Sequence, residues 1–229
     1  MLEYAGKLVP ETLSELVDPS HTALILIDLQ NDTCSEGGSL VGWFGSIHSF
    51  KSMIEKIRTL LDAARVSGAL VIHTQHTNLP EHRTQSARWI RFLVANSKQA
   101  HPSQVPLACL EGSWGQQILN EVKPLPNEIV VKKHEPSAFA FTDLDLILRN
   151  SGVITVVLAG VVSPGCVMMT ATWASCLGYF VVVAEDCISA SEREQELHQA
   201  ALKLMKRDHD AVGSEDIITT WKGMKRKPE

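Results

Sequence analysis

Cys166 follows a tight turn, Gly160 to Gly165, between an apolar β-branched run, Ile154 to Ala159, and a helical pattern that continues to about Leu177. A thiol in that place suits nucleophilic chemistry. In a parallel α/β sheet the loop at a strand's carboxyl end meets ligands, and the N-terminus of the next helix favours an anion. Both conditions predict thiolate character for Cys166, against the plainer reading of a small buried core cysteine. Asp28 closes another apolar run, Ala23 to Ile27, where desolvation is expected to raise its pKa toward the range of a general base, a loop cap being the alternative. A third run, Glu128 to Val131, ends in Lys132 and Lys133. A thiol nucleophile needs a base for its proton, a cation to favour the charged forms, and donors for the oxyanion formed when it attacks a carbonyl. Asp28 supplies the first, Lys133 the second, and backbone N–H groups of the turn before Cys166 the third. No histidine is required.

Elements that could hold these residues together follow from pattern. Ala23 to Ile27 lacks alternation, as expected of a central parallel strand covered on both faces. Ile47, Phe50, Ile54, Ile57, Leu61 and Ala64 recur at helical spacing, with Gly68 closing the helix. Ala69 to Ile72 reads as a second strand, with His73, Thr74, Gln75 and His76 at its end. After Glu128 to Val131, Thr142 and Asp145 form a capping box that predicts a helix ended by Gly152. Phe180 to Ala184 is a further strand, Ser191 to Arg207 a long helix, and Ala211 to Val212 a short edge strand. Residues 77–116, with Pro80, Pro102 and Pro106, are irregular apart from a helical spacing over Ser86 to Asn96. Such a stretch is expected to be a lid or binding loop, or a surface excursion with an oligomer contact. The alternation predicts a three-layer α/β/α fold with a doubly wound, mostly parallel sheet of about six strands. Residues 1–20 read as an N-terminal arm with one helical turn around Glu11 to Val17, and residues 21–229 as a single domain. Parallel strands end on one edge, so Asp28, Lys133 and Cys166 share a crevice.

Composition narrows the classes. The 229 residues are 45% hydrophobic, enough for a large core, and carry a formal net charge of -5, which leaves no footprint for nucleic acid. The basic tail, Lys222 to Lys227, reads as a solvated end. No apolar run is long enough for a bilayer, and acidic residues occupy the N-terminus where a signal peptide needs basic and apolar ones. Five cysteines at 34, 109, 166, 176 and 187 make no disulfide framework or CxxC pair, which fits a reducing cytoplasm.

Three stretches, LILIDLQND, VVKKHEPSAFAFTDL and LAGVVSPGCVMMTATWASCLGYFVVVAEDC, resemble in order the motif blocks of the isochorismatase-like cysteine hydrolases, covering about residues 22–215. The resemblance implies hydrolysis of an amide or ureide C–N bond through a cysteine thioester; no cofactor is expected, and no metal, because the metal-ligand pattern considered below is incomplete. It assigns the catalytic Asp to Asp28, the Lys to Lys133 rather than Lys132 from the spacing to Phe139, and the nucleophile to Cys166. It further implies a cis peptide at Val162-Ser163, an oxyanion hole of the Val162 and Cys166 N–H groups, and a homodimer or homotetramer. Where the family's turn commonly reads Ala-Thr, this chain has Val162, Ser163, Pro164 and Gly165, and Pro164 lacks an N–H.

Ureide-cleaving members look closest, by the run EGSWGQQILNEVKPLPNEIVVKK and by EDC after the fifth strand. A nicotinamidase-like, metal-assisted amidase is the alternative suggested by LQNDTCSEGGSL, but its ligand pattern would fall on His76, Asn78 and His82, where Asn78 replaces a histidine and His76 an aspartate. Isochorismate-type vinyl-ether cleavage, a redox sensor using Cys166 with Cys34 or Cys176, and an inactive partner-binding homologue are the other readings. Gln30, Trp43, Trp89 and Phe139 are the candidate substrate-binding residues, with Phe44, Trp114 and Trp173 further candidates for the pocket wall.

Overall fold

The computed structural model of the chain describes residues 1–41, 48–97 and 107–224; Trp43, Phe44 and the end of the basic tail lie outside them. Six strands form one sheet in the order β5-β4-β3-β6-β7-β8: β3 (Thr22–Ile27), β4 (Leu70–His76), β5 (Ile129–Lys133), β6 (Thr155–Val161), β7 (Phe180–Ser189) and β8 (Asp210–Val212). Every pairing in it is parallel. The fold is the three-layer α/β arrangement expected from the alternation.

Residues of β3 are divided between two cores. Leu24 and Leu26 join one face, packed against the His48–Ser67 helix through Phe50, Ile57 and Leu61 and against the Ser214–Gly223 helix through Ile217 and Trp221. Ala23, Ile25 and Ile27 join the other face, covered by the Leu144–Asn150, Met168–Cys176 and Gln195–Asp208 helices. A period of two sends successive side chains to opposite faces, so a strand buried on both reads as an unbroken apolar run.

Several local expectations change. The N-terminal arm holds a hairpin, β1 (Leu2–Tyr4) with β2 (Lys7–Val9), before a helical turn at Leu13–Leu16. Its strands are almost entirely exposed, so no buried-face pattern marked them. Leu16 and Val17 enter the core, and the Trp221 indole N–H donates to Val17 O at 2.7 Å. The capping box does not form: the helix begins at Leu144, and the Thr142 hydroxyl donates to Ala138 O. Asp145 instead pairs with Arg149 and Tyr179. In the 77–116 insertion a helix spans Ala87–Ser97, and the chain returns to β4 through the Asn78–Leu110 bridge.

Candidate active site

Strand order reverses between β3 and β6. From β3 the chain proceeds through β4 to β5 on one side, and from β6 through β7 to β8 on the other. Loops leaving β3 and β6 therefore diverge and open a crevice at the carboxyl edge. Asp28 follows β3 directly, in the left-handed region at φ 52°. The turn Ser163–Val167, which carries Cys166, follows β6. Gly160 permits this close pairing: it sits opposite Ile27 at φ +125°, and a Cβ there would lie 2.2 Å from Ile27 O.

Lys133 ends β5, two strands from β3 and thus about 10 Å away at ordinary strand spacing. Its side chain spans that gap, fully buried, and Nζ lies 2.8 Å from Asp28 Oδ2. Nζ also donates to Cys166 Sγ at 3.4 Å and to the carbonyls of Glu135 and Pro136 at 3.0 and 3.1 Å. Lys132, its neighbour, points outward and pairs with Glu111. On the intervening strand the Thr74 hydroxyl donates to Asp28 Oδ1 at 2.7 Å, and the Asp28 N–H donates to that hydroxyl oxygen at 3.1 Å. Oδ1 is thus occupied. Oδ2 has the ammonium beside it but no hydrogen bond of good geometry among the described residues, which leaves a lone pair for a proton.

The protonation states differ from those expected of the isolated motifs. Burial pushes the Cys166 thiol up to about 12, with Lys133 pulling it down and the Asp28 charge pushing it up. The expected thiolate is therefore a thiol at rest. Regular α-helix begins only at Met168, beyond Cys166, and desolvation outweighs the nearby cation. For Asp28 the outcome is also reversed. Burial acts to raise its pKa, but the Lys133 ammonium and the Thr74 hydrogen bond outweigh it and hold the carboxyl below its ordinary 3.8. Lys133 in turn loses to burial but gains more from Asp28 and Cys166, and stays above its ordinary 10.5. At neutral pH the cluster is carboxylate, ammonium and thiol. Asp28 is kept ionised by the Lys133 ammonium against the pull of desolvation.

The cis peptide lies at Val161-Val162, one residue before the expected Val162-Ser163. β6 pairs as far as Val161, opposite Ser189, and the helical turn starts at Ser163, so the chain reverses at Val162. Val162 O accepts from the N–H groups of Gly165 and Val167 at 3.0 and 3.3 Å, which folds the turn beneath Cys166.

The other candidates are placed differently. Gln30 is fully buried, and its amide is consumed by backbone: it accepts from His76 N–H and donates to the carbonyls of His76 and Gln116. It fastens the ends of β3 and β4 to the returning insertion, and neither of its amide hydrogens is left for a substrate. Phe139 is buried, in contact with Tyr179 at a 5.9 Å ring separation, and belongs to the core. Trp89 stacks on Phe92 along the Ala87–Ser97 helix. Arg88 of that helix, with Pro136, Ala140, Phe141, Met168, Met169 and Trp173, lines a groove of about 570 Å³ beside the lysine loop. Phe141 and Trp173 are aromatic walls there.

His76, Asn78 and His82 do not converge as a ligand set. Asn78 donates to Ala108 O, His82 contacts Gln85, and His76 is the register partner of Lys133, its pKa pushed down to about 4 by burial and then by that ammonium. Among the described residues no group of three or more His, Cys, Asp or Glu side chains is arranged to hold a metal ion. All five cysteines are free, with Cys34 buried and Cys176 exposed. Sequence reasoning missed Thr74 as an Asp28 partner. The available signal was a hydroxyl at the end of the strand next to β3.

A sequence model of the isochorismatase family, described as the isochorismatase domain, matches residues 22–216. The chain is 31% identical over 183 residues to the ureidoacrylate amidohydrolase RutB of Agrobacterium fabrum, which spans 77% of this chain and 78% of that protein. Its fold is similar to that of a cysteine hydrolase from Pseudomonas syringae pv. phaseolicola, with a TM-score of 0.77 and 20% identity over 90% of this chain and 95% of the other. It is also similar to that of N-carbamoylsarcosine amidase from Thermoplasma acidophilum, with a TM-score of 0.67 and 24% identity over 85% and 97% of the two chains.

Proposed function

The chain belongs to the isochorismatase family, and from that membership we propose that it is an amidohydrolase cleaving a C–N bond of a small amide or ureide, with Cys166 as nucleophile, Asp28 as base and Lys133 as electrostatic support. The observation that carries this reading is the Lys133 ammonium, 2.8 Å from Asp28 Oδ2 and 3.4 Å from Cys166 Sγ. A cation in contact with both groups favours the carboxylate at rest and the thiolate once it forms.

Each step moves one proton. Asp28 takes the Sγ proton as the sulfur bonds to the substrate carbonyl carbon, and the N–H groups of Val162 and Cys166 receive the oxyanion. Collapse breaks the C–N bond while Asp28 returns that proton to the leaving nitrogen, and an acyl-thioester remains. Water then gives a proton to Asp28 as it attacks, the S–C bond breaks, and the proton goes back to sulfur. The thiol's raised pKa suits this course, because deprotonation is then coupled to attack. A ureide is the favoured substrate class because the ureidoacrylate amidohydrolase is similar over most of the chain.

The test is an ammonia-release screen across amides, ureides and carbamoyl compounds with Cys166→Ala as blank. A C166A protein that turns substrate over at the wild-type rate would sink the mechanism. Homo-oligomerisation in the cytoplasm belongs to the same reading. Exposed apolar side chains at Phe141, Met169 and Trp173 support the association, and light scattering measures it.

A further inference from the structure

The nucleophile turn has few means of holding its own shape. Its capping position is the apolar Val162, no side chain caps it, Pro164 has no N–H, and Gly165 adopts a non-helical conformation at φ -120°, ψ -105°. Two backbone hydrogen bonds to Val162 O fold it. Beyond the apolar packing of Val162 and Val167, two side-chain polar contacts tie it to the rest of the protein. One is Lys133 on Cys166. The other is Ser163, fully buried, whose Oγ lies 2.7 Å from Nδ1 of His198.

His198 occupies the first turn of the Gln195–Asp208 helix, on the face that buries Ala201 and Met205 three and seven residues further on. A wholly packing role at that position calls for another apolar residue. Histidine instead presents a ring nitrogen at hydrogen-bond distance from a buried hydroxyl, three residues before the nucleophile. The geometry points to His198 as a positioning residue: through Ser163 it fixes the Val162–Cys166 turn, and with it the place of Sγ relative to Asp28 and Lys133. This inference rests on Cys166 being the nucleophile. A displacement of about 1 Å in a reacting group can cost on the order of a hundredfold in rate, far more than the hydrogen bond contributes to stability.

The test uses the full chain and iodoacetamide, with alkylation of the Cys166 and Cys176 peptides followed separately by mass spectrometry, alongside kcat and KM on an amide found in the ammonia screen. His198→Ala and Ser163→Ala are each expected to slow Cys166 alkylation and lower kcat about tenfold or more, with KM within about twofold and the exposed Cys176 reacting as before. His198→Asn carries a hydrogen-bonding atom on the same γ carbon and is expected to recover most of the loss. The double alanine variant should be no slower than the slower single, since both remove one contact. Ser163→Ala keeps the packing and carries the test if the histidine variant folds poorly. Wild-type Cys166 labelling and kcat in both single variants, or losses that multiply in the double, overturns the inference. Activity retained in Cys166→Ala overturns the nucleophile assignment instead.

Discussion

Thr74 and Asp28 exchange two hydrogen bonds across β4 and β3, the hydroxyl donating to Oδ1 at 2.7 Å and accepting from the Asp28 N–H at 3.1 Å. The pair ties down Asp28, whose backbone is in the left-handed region at φ 52°, and leaves Oδ2 beside the Lys133 ammonium. Thr74→Val keeps the shape and removes both bonds. Loss of a bond that favours the carboxylate raises the Asp28 pKa, so the acid limb of kcat/KM should move up in pH and kcat should fall by about tenfold. A pH–rate profile of the variant that overlays the wild type contradicts this role.

The titration directions predict a broad activity plateau. As the proposed base Asp28 works ionised, and it is held below 3.8, so the acid limb is expected below the ordinary carboxylate range; Lys133 is held above 10.5, so no alkaline loss is expected from it at neutral pH. The same signs govern stability. Asp28 contributes above about pH 3.8 and loses its contribution as pH falls through its lowered pKa, whereas Lys133 contributes below about pH 10.5 and loses it as pH rises through its raised one. An acid limb of kcat/KM at pH 6 to 7, roughly where histidine titrates, would assign the base elsewhere.

Lys133→Met leaves Asp28 buried without its cation. Breaking such a pair from one side costs about 3–5 kcal/mol, and a methionine cannot favour the thiolate. Denaturant unfolding should show a loss of that order, and turnover should be abolished. Lys132→Met, on the exposed side of the same strand end, should match the wild type in both measurements.

Gly160→Ala tests the junction of β3 and β6. Its methyl would meet Ile27 O at 2.2 Å, in a backbone conformation that L side chains rarely adopt, so either strand must shift. A loss of about 1–3 kcal/mol in urea unfolding is expected, with a fall in kcat because Asp28 follows Ile27. Unchanged stability would mean that the two strands part without cost.

Glu128 anchors the start of β5 away from the crevice. Its carboxylate accepts from Arg65, from Leu125 N–H and from His73, and despite burial its pKa is held down at about 2. Its contribution to stability is present above about pH 4.5 and disappears as pH falls toward about 2. Glu128→Gln should lower the melting temperature at pH 7 and flatten its acid dependence between those values, leaving kcat unaltered.

Much of the architecture was legible because its signals are local. Unbroken apolar runs mark doubly covered parallel strands, and helical periodicity marks the layers between them, so Ala23 to Ile27, Ile154 to Ala159 and the helix opposite them needed no tertiary information. A parallel sheet also brings strand ends to one edge, which is why Asp28, Lys133 and Cys166 could be grouped from strand endings alone. The exposed hairpin at Leu2–Val9 had no buried face to leave a pattern. The capping box at Thr142 failed because Asp145 found Arg149 and Tyr179, partners that spacing to Thr142 does not reveal.

Cys166 marks the boundary between the two kinds of information. By itself the sequence determined that a thiol, a carboxylate and an ammonium end up at the same edge of a parallel sheet, because strand identity and chain direction are written in consecutive residues. Tertiary structure decided their charge states, since burial and contact distance set the balance that leaves the thiol protonated and Asp28 ionised. It also decided what holds them: Thr74 meets Asp28 across 46 residues and His198 meets Ser163 across 35. Hydrogen bonds over such separations depend on strand order and helix docking, which only the folded chain specifies.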